Sequence, residues 1–142
     1  MTTTHRHHAA VLGLGGMGGA AFRELARRGV DVIGIDHRRP PHDHGSSHGQ
    51  SRIFRIAYFE HPDYVPLAIH SRRRWLELDA AGSKRIFIPT GGAWVGTETG
   101  RHVGHSRLAA DRHGLAYEIL DEEETRRRWP ALRVPEGQVC FH

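Results

Sequence analysis

A single cysteine, Cys140, excludes an internal disulfide framework and fits a reducing, cytoplasmic compartment. No apolar run approaches the roughly 20 residues that a membrane-crossing helix needs, so no membrane partner is expected. Charge of one sign is also scarce. Twenty basic residues against 16 acidic ones give +4, too mild to imply a nucleic-acid partner from charge alone. There is no internal repeat. The 142 residues suit one domain better than two, and 38% hydrophobic with 25% charged residues is a globular balance. Histidine is plentiful at 13 residues, which could add positive charge on mild acidification.

Arg6 followed by the stretch from Ala9 to Phe22 has the loose outline of a secretion signal. Gly13, Gly15, Gly16, Gly18 and Gly19 break its apolar core and suit a different reading. The run from Ala9 to Leu14 lacks polar alternation, as a strand buried on both faces does. A glycine turn follows, and Ala20 to Arg28 has helical spacing with Gly29 as its stop. Val30 to Ile35 is a second apolar run, closed by Asp36.

Strand, glycine turn, helix, strand and acid each have a task in dinucleotide binding. Gly13 permits a tight turn, Gly15 lets the backbone approach a pyrophosphate, and Gly18 lets the helix pack close to the strand. The helix N-terminus offers unpaired N–H groups and partial positive charge to phosphates. Asp36, 23 residues after Gly13, is placed to accept hydrogen bonds from a ribose and would repel a 2′-phosphate. Phe22 stands where a small residue is usual, and Ala21 is expected to supply the small face instead. A plain βαβ turn is the bland alternative, and the turn alone does not separate NAD from FAD.

Residues 37–49 form a polar loop in which Pro40-Pro41 forbids helix and suggests a stiff extended link. From Gln50 to Tyr58, Arg52 and Arg55 stand three apart and would share a face of a helical turn. Such arginines are often only a solvated surface or simple ion pairs. The context changes that reading. The run Gly45-Ser46-Ser47-His48-Gly49-Gln50-Ser51-Arg52-Ile53-Phe54-Arg55-Ile56-Ala57-Tyr58 resembles the monomeric sarcosine oxidase and N-methyltryptophan oxidase family of flavoenzymes. The resemblance continues through Asp63-Tyr64-Val65-Pro66-Leu67-Ala68, Trp75, Phe87-Ile88-Pro89-Thr90-Gly91 and Arg128-Trp129-Pro130, and so covers nearly the whole chain.

The resemblance implies an α/β fold: a Rossmann-like FAD-binding βαβ start, then the beginning of an α+β substrate region, with the division near residue 60. It implies FAD, with Gly13, Gly15, Gly16, Met17 and Gly18 at the pyrophosphate, Asp36 at the adenosine ribose, and Ser46, His48 and Arg52 also in contact with the cofactor. His48 and Arg52 would lie against the isoalloxazine ring as catalytic groups, and Arg55 would bind the carboxylate of an N-methyl or cyclic amino acid. A flat guanidinium suits a carboxylate because two parallel hydrogen bonds form. A fixed positive charge beside the flavin favours the charge that builds on the ring as it is reduced. The implied reaction is oxidation of a secondary amine with oxygen, giving an imine and hydrogen peroxide. The rivals are an NAD-dependent dehydrogenase, which leaves the stretch from Gly45 to Arg55 unexplained, and a non-catalytic nucleotide-binding domain.

Further along, Tyr64 to Ala81 is expected to be a helix with Tyr64, Leu67, Ala68, Trp75 and Leu78 as an apolar stripe, Arg72, Arg73 and Arg74 on a solvated side, and Gly82 as its end. Ile86 to Ile88 and Ala93 to Val95 read as short strands around a turn at residues 89–92, with Trp94 in the core. Arg101 to His113 reads as a helix ending at Gly114, Ala116 to Leu120 as a strand, and Asp121 to Trp129 as a helix capped by Asp121 and stopped by Pro130. Val139 to Phe141 begins another strand, with Cys140 as a half-buried thiol. Loop histidines His42, His44 and His48 lack mixed metal-ligand partners, so no metal is expected; His5, His7 and His8 are expected to be mobile. The resembled enzymes are much longer than this chain, so it is expected to be an N-terminal piece, truncated or from a split reading frame, with little activity alone. Open sheet edges would then favour aggregation.

Overall fold

The computed structural model describes residues 5–142. In chain order its elements are β1 (Ala9–Leu12), α1 (Gly16–Arg27), β2 (Val32–Ile35), α2 (Tyr64–Ala81), β3 (Trp94–Gly96), α3 (Arg101–His113), β4 (Ile119–Leu120), α4 (Glu122–Arg128) and β5 (Val139–Phe141). The chain divides between Ile53 and Phe54 into two compact units, each with its own sheet.

In the first unit β1 and β2 run parallel, from Ala9 opposite Val32 to Leu12 opposite Ile35. A parallel pair needs a crossover, and α1 supplies it. The expectation that β1 is buried on both faces is wrong here. Exposure alternates along both strands, and Leu12 is 77% exposed. The reason is that α1 packs against one face of the two-stranded sheet only.

Helix α1 begins four residues earlier than its apolar spacing predicts, at Gly16 rather than Ala20. Glycine is a poor helix former, but a Cβ at Gly18 would collide with the carbonyl of Gly13. Tight packing of helix on turn therefore overrides propensity. At the other end Gly29, at φ +74°, donates to the carbonyl of Ala26, and Val30 donates to that of Leu25. This pair of bonds closes the helix around a left-handed glycine, as expected. The room for Phe22 comes from Gly34, not from Ala21: a Cβ on Gly34 would stand 3.3 Å from the Phe22 ring and 3.0 Å from Leu14.

His7 and His8 are tied down, contrary to expectation. Nδ1 of His7 lies 2.9 Å from the Asp31 carboxylate, and the His8 amide donates to the Asp31 carbonyl. The proline loop is a series of bends and turns rather than an extended link.

The second unit is built on β5, which pairs antiparallel with β3 on one side and β4 on the other. Val103 and Ala110 of α3 pack with Phe141, and Leu120, Val134 and Cys140 form a second small core. Cys140 is fully buried rather than half-buried, and burial pushes its thiol pKa up. Trp94 packs half-buried against the first of these cores.

Helix α2 has the expected bounds and stop at Gly82, but its apolar stripe is not covered. Only Val65 and Ala68 are buried, while Tyr64, Leu67 and Trp75 remain exposed. Ile86 to Ile88 is not a strand, because the Asp79 carboxylate takes the amides of Ile86 and Phe87, at 2.5 and 3.0 Å, in place of a neighbouring strand. Among the described residues no helix is long and apolar enough to cross a membrane.

Helix α4 follows its sequence closely. The Asp121 side chain accepts from the Glu124 amide at 2.8 Å, with acids in the first turn and arginines in the last. Asp121→Ala should cost about 1 kcal/mol of stability, read as a lowered midpoint in denaturant unfolding with an unchanged slope.

Candidate flavin site

The glycine turn is held from below by strand β2. Gly13, at φ +84°, donates its amide to the Ile35 carbonyl at 2.7 Å. The next amide, Leu14, donates to Oδ2 of Asp36 at 2.6 Å, and the Arg38 amide donates to Oδ1 at 3.0 Å. Asp36 is thus a brace between the turn and the end of β2. These backbone donors, Leu14 first, hold its carboxyl below the usual range, with a smaller contribution from His42, whose Nε2 lies 3.4 Å from Oδ1. A carboxylate accepts about four hydrogen bonds, so acceptor capacity is left for a ribose.

The first intrahelical bond of α1 runs from the Gly19 amide to the Gly15 carbonyl at 2.7 Å. The amides of Gly16, Met17 and Gly18 precede it and have no helix carbonyl to bond. Gly16 donates to the Ser47 hydroxyl oxygen at 2.9 Å. The Met17 side chain is exposed. A Cβ on Gly15 or Gly16 would press on Ser47 Oγ, at 3.4 and 3.1 Å. This bare, amide-lined turn at a helix N-terminus, closed by a carboxylate, fits the diphosphate and ribose of FAD.

Ser47, not its neighbour Ser46, reaches the helix N-terminus. Ser46 instead offers its carbonyl to Arg52 Nη2 at 3.4 Å, while Nη1 donates to the Ser51 carbonyl at 2.6 Å. The guanidinium lies over Gly49, whose φ of +132° suits only glycine and whose Cβ would overlap it. Nδ1 of His48 is 2.5 Å from the Gly45 carbonyl. A carbonyl only accepts, so Nδ1 carries the proton there. Residues 51–55 make no helical turn, which removes the shared helical face expected for Arg52 and Arg55.

In the second unit, Arg55 Nη2 donates to Oε1 of Glu60 at 2.8 Å. Its guanidinium carbon lies 4.7 Å from the Tyr58 ring centre, 4.9 Å from Phe59 and 5.4 Å from Trp94. Burial is the largest single effect on the Glu60 carboxyl and pushes it up, but the Arg55 hydrogen bond, a backbone hydrogen bond and the charges of Arg55 and Arg101 together bring the net shift downward. Helix α3 secures this segment: Ser106 Oγ donates to the Ala57 carbonyl at 3.2 Å, and His105 Nδ1 is 3.2 Å from the Phe59 carbonyl. The sequence reading did not single out Glu60 or Phe59. The nearest available signal was a carboxylate five residues after the candidate arginine.

Residues 8–142 match the family model described as FAD dependent oxidoreductase. The chain belongs to that family. It is 40% identical over 132 residues to a monomeric sarcosine oxidase of Streptomyces avermitilis, covering 93% of this chain and 34% of the relative. It is 41% identical over 128 residues to a monomeric sarcosine oxidase of a Bacillus species, covering 89% and 33%. An N-methyl-L-tryptophan oxidase of Yersinia pestis is 33% identical over 130 residues, covering 92% and 35%. The chain therefore spans about a third of the length of the curated relatives it matches.

Among solved structures, NikD, an unusual amino acid oxidase essential for nikkomycin biosynthesis, superposes with a TM-score of 0.75 at 23% identity, over 97% of this chain and 36% of that one. The likeness gives the fold: the mixed α/β start of an FAD-dependent oxidoreductase. The family is FAD-dependent, and the glycine turn with Asp36 is the part of this chain whose chemistry fits that cofactor.

Because the Asp36 pKa is lowered on folding, its contribution to stability is full above the unfolded value of about 3.9 and is lost as pH falls through the lower folded value. Asp36→Asn should therefore be less stable than wild type at neutral pH, with the gap narrowing below about pH 3.9, as read from urea unfolding at a series of pH values.

Proposed function

We propose that the protein carrying this chain oxidises the secondary amine of a small N-methyl or cyclic amino acid, with oxygen as the final acceptor and an imine and hydrogen peroxide as products. The observation that carries the reading is Arg55, a guanidinium with only Nη2 engaged by a carboxylate, in a chain up to 41% identical to sarcosine oxidases over most of its length. FAD, when bound, supplies the acceptor for the hydride leaving the carbon next to nitrogen.

The chain's own residues bind and orient. Gly13, Gly15, Gly16, Met17 and Gly18 line the diphosphate site, with the first-turn amides of Met17 and Gly18 left to donate to it, and Asp36 receives the adenosine ribose. Ser46, His48 and Arg52 belong to the cofactor's surroundings. Arg52 contributes fixed positive charge, and His48, with Nδ1 committed to the Gly45 carbonyl, keeps Nε2 for the flavin. Arg55 pairs with the substrate carboxylate, exchanging or sharing its bond to Glu60. In this reading residues 1–60 hold the dinucleotide and residues 61–142 begin the substrate region. The substrate is a small amine, neither a nucleic acid nor a membrane is engaged, and the compartment is the cytoplasm.

The intact protein should turn over sarcosine with hydrogen peroxide release and a bound flavin spectrum. A charge-assisted hydrogen bond contributes about 1.5–3 kcal/mol, so Arg55→Ala should raise KM for sarcosine by about 10- to 100-fold. Steady-state oxygen consumption checks this. Nicotinamide-dependent turnover without flavin absorbance would overturn the reading.

A further inference from the structure

Three rings surround the Arg55 guanidinium, and they do not come from one stretch of chain. Tyr58 and Phe59 stand three and four residues after Arg55, whereas Trp94 belongs to β3. Phe59 and Trp94 meet edge to face at 6.0 Å, with planes at 87°. His102 of α3 buttresses both, 4.5 Å from the Phe59 ring and stacked at 24° to Trp94 with centres 6.1 Å apart. A second cation, Arg101, has its guanidinium carbon 5.7 Å from the centre of the Phe59 ring. Two arginines thus share the Phe59 ring, and the charges of both act on the Glu60 carboxylate.

We propose that Phe59 and Trp94 are positioning residues for Arg55, holding its guanidinium in a fixed plane so that it meets the substrate carboxylate edge-on. Aromatic faces attract a cation without neutralising it. The box therefore restrains the arginine while leaving its charge available. Glu60 takes Nη2 alone, so the remaining donors keep their capacity for an incoming carboxylate. A pre-oriented fork also loses less freedom on binding than a mobile one. The surrounding rings reduce water around the pair, which strengthens its attraction.

The inference rests on the reading of Arg55 as the carboxylate-binding group, and the test separates the two. In the intact protein, Phe59→Leu and Trp94→Leu should each raise KM for sarcosine about two- to thirtyfold, with a smaller fall in kcat. Phe59→Tyr and Trp94→Phe should recover most of the loss. An amine without a carboxylate, dimethylamine, should be oxidised equally by wild type and both leucine variants. Should Trp94→Leu fail to fold, Phe59→Leu carries the same test. In 15N-arginine spectra of Trp94→Phe and wild type, slow guanidinium rotation at Arg55 should persist, while Phe59→Leu should speed it.

Unchanged KM in both leucine variants, alongside a raised KM in Arg55→Ala, would overturn the positioning role and leave the carboxylate role standing. An unchanged KM in Arg55→Ala would overturn both.

Discussion

The first unit depends on the approach of α1 to the turn that precedes it. At Gly18 there is no space for a single carbon beside the Gly13 carbonyl. That closeness aims the first-turn amides of α1 at the space above the turn, where an anion would sit. It also explains why a helix starts inside a glycine-rich stretch that propensity would leave as loop. Asp36 completes the arrangement by accepting the Leu14 amide, which ties the turn to the end of β2. The carboxylate is therefore a structural brace, and its lowered pKa records chiefly the backbone donors, with His42 adding less.

The second unit surrounds an arginine with rings and one carboxylate. Segment 54–60 has no regular structure, yet the Ala57 and Phe59 carbonyls are held by Ser106 and His105 of α3. The ring contacts of Trp94 and His102 then fix what the backbone bonds leave free. Arg55 sits among these groups with its charge intact. Of its donors, Nη2 is the one that meets the Glu60 carboxylate.

Several elements were legible in the chain because their causes are local. Helix α4 carries its own cap, its acids and its arginines within eight residues, and α3 ends at Gly114 in the left-handed conformation. The glycine turn and Asp36 were legible as a unit because each residue's task is set by its backbone or its charge. What the chain could not show was where apolar surface would go. Leu12 and, from the stripe of α2, Tyr64, Leu67 and Trp75 look like core in sequence and remain exposed in the structure, since burial needs a partner surface. Ile86 to Ile88 looks like a strand, but a distant carboxylate, Asp79, claimed its amides.

Sequence by itself determined the backbone-directed features: the turn at Gly13, the helix stops, the Asp121 cap and the resemblance that pointed to FAD. Those follow from neighbours a few residues apart, whose geometry hardly depends on the rest of the chain. Tertiary structure alone decided that Ser47 rather than Ser46 meets α1, that Gly34 makes room for Phe22, and that Arg55 is framed by Trp94 and Phe59. Each of those is a contact between segments far apart in sequence, and no local periodicity encodes which side chain arrives there.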